Sequence, residues 1–286
     1  MSQFRVHFFK EKNQVIDIES VFSFFSHELG FSVETNDQYA QFIFEHQTLH
    51  LKCLFMITPK STVPDIYRLS PKYLDVNIHF EMPIMTSHYM ANTFFKFIET
   101  FSKRFHLYIY HPLFEDVLSY HFDVLFQVFQ MVKNASIKKN MSLLDAFEVV
   151  DASILFHVFK YMDDLPELRH FYRGESVEVS TYDISTCSET LLIGVHIQAN
   201  RSTVIPPYVN MLYYHHGEHV KAIDYDHVKS SIEKFLIKVP GTIEGTKLIT
   251  KKMLGKVNRL LKKSHEKQLS CEKHPILVSQ LMDVES

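Results

Sequence analysis

The cleanest periodic pattern in the chain is "YLDVNIHFEM", residues 73–82. Apolar and polar positions alternate strictly. Leu74, Val76, Ile78, Phe80 and Met82 fall on one side; Tyr73, Asp75, Asn77, His79 and Glu81 fall on the other. A period of two predicts a strand with one face on a core and the other wet or functional. Parallel sheets covered on both faces read as continuous apolar runs, so this strand argues for an antiparallel sheet.

The same reading extends along the first half of the chain. "FRVHFF" predicts a strand, and "DIESVFSFFSHELG" a helix with Asp17 at its start and Gly30 at its stop. "YAQFIFEH" and "LHLKCLFMI" predict a hairpin, followed by a proline-bearing loop over residues 58–72. Residues 86–105 predict a helix, "HLYIY" a short strand, and residues 113–135 a long helix with Phe114, Leu118 and Phe129 at core spacing. The polar stretch "NASIKKNMS" marks a break.

Beyond it, Ser142 is placed to cap a helix running to about Met162. "SVEVSTYDI" and "TLLIGVHIQA" predict strands, and "NRSTVIPP" a loop. "VNMLYYHH" and "EHVKAIDY" meet at Gly217 as a hairpin with a two-residue turn, which sets His216 opposite His219. Asp226 is placed to cap the next helix, and a last helix is expected from about Lys247 to Lys267. The pattern predicts an α+β protein of two consecutive units, each a mainly antiparallel sheet with helices on one face. Their expected bounds are 1–138 and 139–240, with a basic amphipathic helix and polar tail over 241–286.

Composition narrows the function classes. Glycine numbers seven in 286 residues, and Gly30 is the sole one before Gly174. A phosphate-cradling loop needs glycines close together, so P-loop and dinucleotide-binding folds are not expected and no cofactor is implied. Three cysteines, Cys53, Cys187 and Cys271, stand far apart with no C-x-x-C, so neither a disulfide framework nor a thiolate zinc site is expected. A reducing cytoplasm is the expected setting. Phe at 25 and Tyr at 14, with no Trp, predict a core held by aromatic packing.

Charge is distributed unevenly. Residues 141–229 hold 6 Lys/Arg against 13 Asp/Glu, whereas residues 230–286 hold 11 against 6. In the last helix Ile249, Met253, Val257, Leu260 and Leu261 form an apolar stripe. Lys247, Lys251, Lys252, Lys256, Arg259, Lys262 and Lys263 cover much of the rest. Such a helix suits an acidic protein groove, nucleic acid or an anionic membrane surface. With one arginine and no interleaved aromatics it is poorly suited to reading bases, so a protein partner is the expectation.

Three other constellations carry potential chemistry. The hairpin histidines His215, His216 and His219 include one cross-strand pair close enough to share a metal ion, but no third ligand is evident, and a solvent-facing tip explains the same residues. Asp75, His79 and Glu81 line one strand face and would orient a general base; a solvated sheet face gives the same row. His111, Glu115 and His121 lie near the long helix, but Pro112 breaks the register between the first two and His121 falls in the apolar stripe, so a hydrogen-bonded core histidine rather than a ligand is the expectation. No nucleophile motif such as G-x-S-x-G occurs. The expected function is therefore non-catalytic binding of a macromolecule, with a metal-assisted hydrolase as the alternative.

Overall fold

The protein is described by a computed structural model covering residues 2–28, 30–188, 190–240, 243–268 and 272–284, the side chain of Glu28 excepted. The chain divides into two compact units, the first ending at Ala146 and the second running Phe147–Val284.

In the first unit β1 (Gln3–Glu11) leads to a short helix α1 (Ile18–Ser23). The Asp17 carboxylate accepts from the backbone N–H of Glu19 and Ser20, as its place ahead of an apolar run predicts. Strands β2 (Ser32–Thr35), β3 (Ala40–Glu45), β4 (Lys52–Ile57) and β5 (Tyr73–Pro83) follow, then α2 (His88–Phe105), β6 (Tyr108–Tyr110) and α3 (Phe122–Lys139). The strands form one sheet in the order β2-β3-β4-β5-β1-β6, every neighbour antiparallel. Phe4, Phe8 and Phe55 project from one face and meet Phe95 and Phe101 of α2 and Phe129 of α3, with ring centroids 4.9–5.9 Å apart. Aromatic packing does dominate this core, and the helices cover one side of the sheet.

The second unit begins with β7 (Glu148–Val149) and α4 (Ala152–Phe171). Strands β8 (Val177–Val179), β9 (Tyr182–Cys187), β10 (Thr190–Gln198), β11 (Ser202–Ile205), β12 (Met211–His216) and β13 (His219–Asp224) follow. Then come α5 (Tyr225–Ile232), β14 (Leu236–Lys238), β15 (Lys247–Ile249), α6 (Leu254–Lys263), β16 (His274–Pro275) and β17 (Leu281–Met282). A five-stranded sheet runs β13-β12-β10-β9-β16, a four-stranded one β14-β15-β11-β8, and β17 pairs with β7. Among the described residues three pairings are parallel, β10 with β12, β11 with β8 and β17 with β7; the remainder are antiparallel. Val195, Ile197, Leu212, Tyr214 and Ile223 of the larger sheet pack with Val228 and Ile232 of α5 and Val257 and Leu261 of α6. The fold is α+β with antiparallel-rich sheets.

Several elements differ from the sequence reading, each for a local reason. Residues 113–121 are not helical: Leu118 and Ile109 exchange backbone hydrogen bonds, folding the chain back on β6, and α3 starts only at Phe122. Ser142 caps no helix; it lies in a 3₁₀ segment, and Asp151 caps α4 instead, accepting from Ser153 and Ile154. That helix does not stop near Met162 but continues through Pro166 to Phe171. "STVI" within the expected loop is a buried strand, β11, too short to show a period between its flanking Asn and Pro residues. Asp224, not Asp226, caps α5. Lys247–Ile249 is a strand rather than the first turn of a helix, so Ile249 is buried as a sheet residue.

The cysteines also depart from expectation. Cys187 is disulfide-bonded, Cys53 is a buried free thiol, and Cys271 lies outside the described residues. Spacing alone cannot reveal a bond between cysteines far apart in sequence.

Candidate functional site

The basic residues near the C-terminus are held on a fixed scaffold. Val257 and Leu261 of α6 are fully buried. Asn258 Nδ2 donates to the Ala199 carbonyl at 2.6 Å. Lys221 of β13 reaches the far end of the helix, donating to the carbonyls of Lys262 at 3.0 Å and of Ser264. An ammonium on the last carbonyls satisfies orphan acceptors and complements the helix dipole. With the apolar stripe docked, Lys251, Lys252, Lys256, Arg259, Lys262 and Lys263 are left exposed. Among the described residues none of these six makes an ion pair, although Lys256 lies over the Phe235 ring at 5.5 Å. Lys247 stands apart, on β15 and paired with Glu233 at 3.4 Å.

The hairpin has the predicted register, with His216 opposite His219, Tyr214 opposite Lys221 and Leu212 opposite Ile223. Gly217 has φ +63° and Glu218 does not share the positive sign, which fits a type II′ turn. His216 and His219 are exposed at the tip. His215 points to the opposite face of the sheet and finds partners the sequence reading did not anticipate. Its Nε2 lies 2.7 Å from Nδ1 of His196 on β10, whose Nε2 lies 3.0 Å from Asp183 Oδ2 on β9. Lys273 Nζ sits 3.1 Å from the same carboxylate and 3.8 Å above the Tyr213 ring, on which His196 also stacks at 4.9 Å.

Chemistry fixes the direction of this chain. A carboxylate only accepts, so His196 carries its hydrogen on Nε2. A singly protonated His196 accepts at Nδ1 from Nε2–H of His215, which leaves Nδ1 of His215 as the bare base. Burial, and then the neighbouring His196, hold His215 below the ordinary imidazole value. Neither Asp183 nor His196 was legible as a partner of His215. The signal lay in the period-two alternation of three strands, but strand order was needed to use it.

In the first unit the polar side of β5 is not a solvated face. His79 and Glu81 are only 2% and 8% exposed. Glu81 accepts from His79 Nε2 at 3.0 Å and from Arg5 Nε at 2.7 Å, and these contacts hold it below the usual carboxylate range. His7 lies opposite His79, ring centroids 5.5 Å apart; burial foremost, helped by His79 and Arg5, lowers it to about 3. Asp75 feels the charge of His79 but makes its hydrogen bonds elsewhere. Asn77 takes φ +58° and the register slips between His7 and Phe9, so the strict alternation is broken. Asp75 instead accepts from Ser61 of the 58–72 loop and from its own Asn77 N–H, and burial raises it.

His111 is buried against Phe4, its ring stacked at 4.9 Å, and burial lowers it to about 4. Its Nδ1 accepts from Leu113 N–H, so it orders the turn leaving β6. Glu115 and His121 lie outside any helix, His121 immediately preceding α3. Among the described residues no group of three or more His, Cys, Asp or Glu is arranged to hold a metal ion. Likewise no helix is long and apolar enough to cross a membrane. Comparison with protein-family models, with curated proteins and with solved structures found no match.

Proposed function

We propose that the protein is a non-catalytic binding module. Its second unit engages an acidic surface on a protein partner through Lys251, Lys252, Lys256, Arg259, Lys262 and Lys263. The observation that carries this reading is the concentration of six exposed cations, none in an ion pair among the described residues, on a helix and turn whose apolar stripe is already docked. Surface cations are ordinarily interspersed with carboxylates; a one-sign face steers and orients an oppositely charged partner. Lysine predominates over arginine, which favours a diffuse acidic surface over base-edge readout.

The test is copurification from native extract at low salt with Lys251→Glu, Lys252→Glu, Lys256→Glu and Arg259→Glu combined. All four side chains are exposed, so folding is expected to survive. A companion protein retained by the natural chain and lost by the variant supports the reading. A companion retained equally by both contradicts it.

A second reading, hydrolysis, is favoured by the Asp183–His196–His215 chain, which presents an oriented base. Ser185, two residues along β9 from Asp183, is fully buried, and its hydroxyl has no hydrogen-bond partner among the described residues. A metal-assisted version would need ligands beyond His215, His216 and His219. Stoichiometric zinc lost on His216→Ala supports it; metal-free protein after zinc loading speaks against it.

A further inference from the structure

The second unit holds a cavity of about 510 Å³ that belongs neither to the basic face nor to the histidine chain. His157, Tyr208, Lys229, Lys238, Glu244 and Lys247 supply its functional side chains. The volume suits a small organic molecule.

Charge defines one part of the ligand. Lys247 is neutralised by Glu233, also in the wall. Lys229, Lys238 and Glu244 have no ion-pair partner among the described residues, so the cavity keeps a net positive charge. Two ammonium groups in one concavity attract an anion, and the carboxylate accepts from a donor on the same molecule.

Aromatic placement defines the other part. Tyr208 has φ +56°, a left-handed conformation costly for a bulky residue. The residue nevertheless stays 44% exposed and lines the cavity. His157 lies against it, centroids 4.9 Å apart, and is itself fixed by Nδ1 donating to the Ser153 carbonyl at 2.6 Å. The lining beside Tyr208 is close-fitted: Gly245 has φ +96°, and a Cβ there would stand 3.1 Å from Pro207 Cβ. Backbone strain spent on presenting a half-exposed aromatic residue provides a stacking platform.

We infer that this cavity binds a small organic anion bearing an aromatic ring, the ring on Tyr208 and His157 and the anionic group on Lys229 and Lys238. A phosphate monoester carrying a ring, whether a nucleoside monophosphate or an aryl phosphate, and an aromatic carboxylate share this chemistry. The test is calorimetric titration of the full chain with adenosine monophosphate, phenyl phosphate and benzoate, with adenosine and inorganic phosphate as controls. Saturable binding of at least one ring-bearing anion is expected, with both controls weaker by about tenfold or more. Phosphates bound in preference to benzoate identify a phosphorylated ligand, and the reverse a carboxylate. Lys229→Gln with Lys238→Gln, and separately Tyr208→Asn, should each weaken binding by about tenfold; asparagine tolerates the left-handed backbone. Circular dichroism checks that the variants remain folded. No saturable binding by any ring-bearing anion, or binding unchanged in both variants, overturns the inference.

Discussion

His196 stands between a carboxylate and a second imidazole, 3.0 Å from Asp183 and 2.7 Å from His215. The acceptor-only carboxylate sets the tautomer of the first ring, and the first ring sets that of the second. Nitrogen-detected NMR near neutral pH should show both histidines with hydrogen on Nε2 and none on Nδ1. Asp183→Asn, whose amide can also donate, should scramble both assignments. An Nδ1–H tautomer at His215 in the natural protein would contradict the proposed order of donors.

Gly194 makes room for this arrangement. A Cβ at that position would lie 2.4 Å from Tyr213 Cε2 and 3.1 Å from the Asp183 carbonyl oxygen. The Tyr213 ring is buried beneath Lys273 and beside His196, so it has little freedom to withdraw. Gly194→Ala should cost roughly 1–3 kcal/mol in urea unfolding, the usual range for overpacking. An unchanged midpoint would show that the ring moves freely.

Stability should fall on mild acidification. Burial lowers His7 to about 3 and His111 to about 4, from an ordinary value of 6.5. Between pH 6.5 and 4 the unfolded chain takes protons at both residues while the folded chain refuses them. The stabilisation is therefore complete above 6.5 and is lost as pH drops through this window, by an amount on the order of a few kcal/mol. The urea midpoint should decline from pH 7 to pH 5, and His111→Phe, which preserves stacking on Phe4, should flatten the decline. A midpoint independent of pH over that range would contradict the burial of neutral imidazoles.

Local patterns carried much of the fold. Asp17 and Gly217 each act where their chemistry predicts, at a helix start and a hairpin turn. The His216–His219 register followed from turn geometry alone. What failed was decided by tertiary contacts. Phe114 and Leu118 have helical spacing, yet backbone pairing between Leu118 and Ile109 holds that segment as a fold-back. Asn77 interrupts the most regular alternation in the chain, because its left-handed backbone lets its carbonyl accept from Thr58 across the 58–72 loop.

The candidate sites divide in the same way. The basic face was legible because its lysines are neighbours in sequence. The histidine chain was not, since Asp183, His196 and His215 come from three strands whose order no local signal specifies.

The most direct test of the central claim is binding to an immobilised acidic polypeptide. Surface plasmon resonance on polyglutamate, with duplex DNA as the comparison surface, would use the natural chain and the Lys251→Glu, Lys252→Glu, Lys256→Glu, Arg259→Glu variant. The account predicts salt-sensitive binding to polyglutamate that the variant loses by on the order of tenfold to a hundredfold, with far-ultraviolet circular dichroism unchanged. Equal binding by the folded variant would contradict the assignment of this face, and binding to DNA alone would replace the acidic protein partner with nucleic acid.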